Sequence, residues 1–201
     1  MRRVIVLLAI LFGLSACSSD GAKQLQAPVE PLGNFRLGFA EVVAPNLVKG
    51  PASRDATKEE WIAAMDEALE TRFKRYEGDH FYHIGASVEG FVLAQPGIPL
   101  VLSPKSALIL RVTIWDDATQ TKLNEETELI TALEQLSGET LVGSGLTQSK
   151  KQQMDNLTAN AALLVERWMR SKQKSDGWFG GLAANQKAVD AAVASEAITA
   201  Q

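Results

Sequence analysis

The chain holds one cysteine, Cys17, among 201 residues, so no disulfide within it can staple the fold. Its histidines are two, His80 and His83. A zinc site needs three or four convergent ligands, so imidazoles alone cannot build one here. No apolar run approaches the roughly 20 residues that a membrane-spanning helix requires; Val4–Leu14 is the longest, at 11 residues and interrupted only by Gly13. Base does not exceed acid: 20 Lys and Arg stand against 24 Asp and Glu. That balance disfavours a nucleic-acid partner, whose phosphates call for a basic face.

What the N-terminus does contain is ordered. Arg2 and Arg3 give a positive start, Val4–Leu14 is apolar, and Ser15 and Ala16 are small. This is the layout of a secretory signal peptide, covering residues 1–16. Leu14-Ser15-Ala16-Cys17 resembles the lipobox of bacterial lipoproteins. The resemblance implies cleavage before Cys17, a diacylglycerol on its sulfur and usually a further acyl chain, such as palmitate, on the new amino terminus. Stable anchoring requires more than one acyl chain, and that modification supplies at least two. Ser18 resembles the outer-membrane default of the sorting rule, so the expected location is the periplasmic face of the outer membrane.

The chain from Cys17 onward has 18 basic and 24 acidic side chains, a net charge of −6, and a length suited to one domain with tethers. Residues 17–34 read as the lipidated cysteine and a flexible tether, since SSDGAKQLQAPVEPLGN lacks aromatics and carries Ser, Gly and Pro. As a coil it would reach about 20–25 Å. Residues 35–172 read as an α+β domain, and 173–201 as an aromatic loop and an Ala-rich, helix-prone tail.

Within the domain, Phe35, Leu37 and Phe39 alternate with smaller or polar neighbours and predict a strand. Thr57 and Glu60 form a capping box opening a helix to about Tyr76, with Trp61, Met65, Leu69 and Phe73 on one face. Tyr82, Ile84, Ala86 and Val88 predict a second strand, and Leu108, Leu110, Val112 and Ile114 a third. Residues 122–134 fit strand or helix; the preceding Asp116–Thr119 turn and the following Ser137-Gly138 favour strand. Thr140–Leu146 reads as a short strand. Ser149 and Gln152 open a last core helix to about Lys172, and Asp176-Gly177 ends it. The expected architecture is an antiparallel or mixed sheet of about five strands with two amphipathic helices on one face and a C-terminal Ala-rich helix. That element order is similar to small α/β envelope lipoproteins of the transport-auxiliary and outer-membrane assembly kinds.

No catalytic set emerges. An extended backbone sends His80 and His83 to opposite faces, so they cannot share a metal. Gly143-Ser144-Gly145 matches neither the serine elbow nor the phosphate loop, although Lys150 and Lys151 follow it. Asp116-Asp117 and Glu125-Glu126 are neighbours that point apart on a strand. The expectation is a non-enzymatic accessory or assembly subunit, without cofactor or metal, anchored to the membrane through acylated Cys17 and working through an envelope protein partner. Trp178 and Phe179, between glycines past the last core helix, are the predicted partner-binding residues, and the long Pro96–Pro104 connection is a second candidate. The alternative is a binding protein for a small amphiphile or lipid held between sheet and helices.

Overall fold

A computed structural model of the chain describes residues 20–95, 106–134, 148–181, 183 and 193. Its strands are β1 (Phe35–Val43), β2 (Val48–Lys49), β3 (His80–Val92), β4 (Ala107–Asp116), β5 (Thr121–Lys122) and β6 (Glu128–Leu133). Its helices are α1 (Asp20–Leu25), α2 (Lys58–Phe73) and α3 (Lys150–Asp176). The predicted strand Thr140–Leu146, the Pro96–Pro104 connection and nearly all of the Ala-rich tail lie outside the described residues.

β3 is the hub of a mixed six-stranded sheet. It pairs parallel with β1 and antiparallel with β4, and β4 pairs antiparallel with β5 and β6. Parallel neighbours need a long crossover; α2 supplies it between β1 and β3. Both long helices start where the sequence places them. In each capping box the N-cap side chain accepts from the N3 backbone N–H, and the N3 side chain accepts from the N-cap N–H: Thr57 with Glu60, and Ser149 with Gln152. α3 runs one turn beyond Lys172 and ends at Gly177, whose φ of 74° suits a left-handed cap.

The helices cover one face of the sheet. Trp61, Met65, Leu69 and Phe73 of α2 and Leu157, Ala161, Val165 and Met169 of α3 join Ile84, Val88, Leu110, Val112 and Ile114 in one buried cluster. Ala159, Ala161 and Ala162 are fully buried and allow close approach of α3. Among the described residues these side chains form one continuous buried cluster between sheet and helices.

Two further expectations are corrected and one is refined. Residues 23–34 do not form a free tether: Leu25 and Leu32 are buried, and α1 packs on α3. The backbone there carries two prolines, and its carbonyls are taken by guanidiniums. Arg72 and Arg75 donate to Leu25 and Ala27 O, and Arg170 donates to Glu30 and Pro31 O. Residues 122–134 are strand, as favoured, but interrupted. Asn124 turns inward, its Oδ1 accepting from Ile114 N at 2.9 Å and its Nδ2 donating to Val112 O at 3.0 Å, so one side chain replaces a stretch of ladder.

The second correction concerns Trp178 and Phe179. They lie in a 3₁₀ turn (Trp178–Gly180) folded back on the domain, 8% and 2% exposed. Phe179 packs edge-on to Phe35 and Tyr82, at centroid distances of 5.1 and 4.9 Å, and Trp178 edge-on to Trp168 at 5.3 Å. Burying two large rings outweighs what a solvent-exposed loop would gain, so these residues close the core and are not available to a partner.

Candidate functional site

The opposite face of the sheet is covered by no described element. Strand alternation sends Phe81, His83, Gly85 and Ser87 of β3, Ile109, Arg111, Thr113 and Trp115 of β4, and Leu129, Thr131 and Leu133 of β6 to this side. Large apolar side chains stand open to solvent on it: Phe39 is 53% exposed, Trp115 39%, Leu129 55% and Val48 64%. The leucine-bearing face of β6 is the outward one, while Ile130 and Ala132 point into the core.

Phe39 arrives there by a bulge. Leu37 pairs with Tyr82 and Ala40 with Ile84, so β1 carries one extra residue at Gly38-Phe39. The alternation that groups Phe39 with Phe35 and Leu37 is broken at that point, and Phe39 turns outward. Its ring stacks on His83 with centroids 4.0 Å apart. Gly38 makes the stack possible, since a Cβ at this position would lie 2.4 Å from the His83 ring.

His83 Nε2 meets Asp117 Oδ1 at 2.9 Å, while Nδ1 is buried with no hydrogen-bond partner among the described residues. Gln120 Nε2 donates to the Asp117 carbonyl and, at 3.3 Å, to Asp117 Oδ1. Asp116 Oδ1 accepts from Ala118 N and Thr119 N and holds the turn closed. Just beneath, the Tyr82 hydroxyl is pushed above its ordinary value, first by burial and next by the Asp116 charge. These groups surround a cleft of about 390 Å³ lined by Phe39, Glu41, His83, Gly85, Trp115 and Asp117 among others.

Of the residues read from sequence as candidates, Cys17 lies outside the described residues. His80 and His83 fall on opposite faces, as strand geometry requires: His80 is in register with inward Phe35, and His83 with outward Trp115. No group of three His, Cys, Asp or Glu side chains among the described residues is arranged to hold a metal. Asp116 and Asp117 do point apart: Asp116 closes the turn and Asp117 meets His83. Phe39, Gly85 and Trp115 were missed. The signal for Trp115 was present, a tryptophan on the polar phase of β4; the signal for Phe39 was not, because a bulge has no fixed spelling.

No family model matches the chain, and no curated protein matches it in sequence. Solved structures with a similar arrangement include a candidate lipoprotein from Caulobacter crescentus, at 10% identity and TM-score 0.37, covering 75% of this chain and 96% of that one. PelC from Paraburkholderia phytofirmans, solved as a dodecamer, is 9% identical with TM-score 0.36, covering 69% and 89%. A minor lipoprotein from Acinetobacter baumannii is 13% identical with TM-score 0.34, covering 71% and 96%. Lipoproteins thus stand among the neighbours, but overlaps this loose assign neither a family nor an activity to the chain.

Proposed function

We propose that this chain is a lipid-anchored protein of the cell envelope that docks another envelope protein on the open face of its sheet. The anchor is acylated Cys17, at the periplasmic face of the outer membrane. The role is that of an accessory or assembly subunit, not of a catalyst. The observation that carries this reading is the one-sided layering: two long helices cover the inner face, while Phe39, Val43, Phe81, Ile109, Trp115, Leu129 and Leu133 stay exposed on the other. Large solvent-exposed apolar side chains clustered on one face mark interaction sites. Tethering to a bilayer raises the effective concentration of membrane partners, so a modest contact suffices.

The test is photo-crosslinking in intact cells. A photoreactive amino acid at Leu129 or Val48 should give discrete protein adducts, while one at Arg167, exposed on the helical side, should not. Equal adducts from both sides, or none from the sheet, would sink the reading. Labelled fatty acid tests the anchor: label should enter the wild type and be absent from Cys17→Ser.

A further inference from the structure

We infer that the cleft floored by Gly85 is a receptor for one positively charged side chain, arginine or lysine, presented by the protein that docks on the sheet. This deepens the docking reading and rests on it.

Gly85 is the first ground. It sits inside the long central strand β3, where glycine weakens a sheet and often marks close approach by a ligand or another backbone. Nothing within the chain demands glycine there. Its φ is not in the left-handed region, and an added Cβ would meet nothing nearer than the Thr113 carbonyl oxygen, at 3.8 Å. What the missing side chain provides is space. Glu41 on β1 and Thr113 on β4 stand in register on either side of Gly85, and the His83–Trp115 pair forms the next row.

The walls set the ligand class. Phe39, His83 and Trp115 offer π surfaces, and Glu41, Asp116 and Asp117 bring carboxylates, while no lysine or arginine lines the cleft. Lys122 does not line it, although its ammonium lies 5.6 Å from the Trp115 ring centroid. Aromatic faces flanked by carboxylates favour a cation, and a guanidinium stacks on such faces while bonding to a carboxylate. Asp117 is oriented in advance by His83 and Gln120, and Gln120 itself is held at a φ of 55°. Only a cation would be drawn by the charges of Glu41, Asp116 and Asp117 together. The cleft opens within a wider apolar face that includes Val43, Ile109 and Leu129, which a small free cation would leave uncovered. A side chain on a protein surface covers both.

The four tryptophans make fluorine NMR of 5-fluorotryptophan-labelled protein a direct readout, with the Trp115 signal assigned from Trp115→Phe. The full mature chain in detergent is titrated with Nα-acetylarginine amide, and separately with its uncharged analogue Nα-acetylcitrulline amide. The arginine compound should shift the Trp115 signal saturably, and the citrulline compound should not. Gly85→Val, whose β-branched side chain suits a strand and fills the floor, should abolish the shift with the melting temperature kept or raised. Glu41→Gln/Asp117→Asn should weaken binding about tenfold or more. Equal shifts by citrulline, or full binding by Gly85→Val, would overturn the inference. So would a response to phosphatidylethanolamine vesicles without one to the arginine compound. Crosslinks from Leu129 that persist while arginine does not bind would sink the cation site alone. Arginine binding without any crosslink would sink the docked-protein source.

Discussion

Arg72 of α2 and Glu166 of α3 form a two-pronged ion pair in the interior, with Nε to Oε2 at 2.6 Å and Nη2 to Oε1 at 3.0 Å. Tyr76 and Arg170 donate to the same carboxylate, and Arg72 and Arg170 also hold the backbone of residues 25–31. One carboxylate therefore ties α2, α3 and the N-terminal segment together.

Removing one member of a buried pair strands the other, at a cost of about 3–5 kcal/mol, whereas replacing both with apolar groups costs less. Arg72→Ala should lower the urea-unfolding free energy by about 3 kcal/mol, and Arg72→Met/Glu166→Met by clearly less. A double variant as unstable as the single would refute this account of the pair.

The same site predicts an acid response. Burial pushes the Glu166 carboxyl up, but hydrogen bonds from Arg72, Tyr76 and Arg170, with the Arg72 charge, outweigh it and hold it below its ordinary 4.5. A depressed folded value contributes stability that is fully present above the unfolded value and is lost as pH falls through the folded one. Unfolding midpoints of the wild type should therefore fall below about pH 4.5, with a shallower fall in Glu166→Gln. Parallel pH profiles for the two proteins would contradict the assignment.

Aromatic residues on the two sides of the domain should separate stability from docking. Phe179→Ala empties a core position and should cost about 3–5 kcal/mol. Trp115→Ala and Leu129→Asp act on the open face, where substitutions stay within about 0.5 kcal/mol, yet they should diminish the sheet-face crosslinks. Thermal melts and crosslinking yields on the same variants decide it. A large loss of stability in Trp115→Ala would mean that its ring belongs to the core.

Gly38→Ala should displace the His83 ring and dissolve its stack on Phe39 while leaving β1 paired with β3. The readout is the His83 ring proton shift, which should move toward that of Phe39→Ala. An unchanged shift would show that Gly38 does not shape the cleft.

Local physics made much of the fold legible in advance. Thr57–Glu60 and Ser149–Gln152 announce helix starts because backbone donors at a helix end need side-chain acceptors, and Asp176-Gly177 announces a stop for the converse reason. Tyr82–Val88 and Leu108–Ile114 alternate cleanly because one face of each strand is buried. What stayed hidden is non-local. Nothing around Leu25 and Leu32 says that arginines 45 to 140 positions away will seize the intervening carbonyls. Phe179 resembles a loop aromatic until Phe35 and Tyr82 are brought beneath it. The open face is invisible while the number of covering layers is unknown, since an outward tryptophan and an inward one are spelled alike.

The capture of the N-terminal segment bears on how the protein meets the membrane. Asp20, the first described residue of α1, stands three peptide steps from Cys17, so about 10 Å of chain at full stretch links the two. With fatty acids on that cysteine, the globule would ride against the headgroups on a short leash and could not roam above them. Its headings relative to the bilayer would be few.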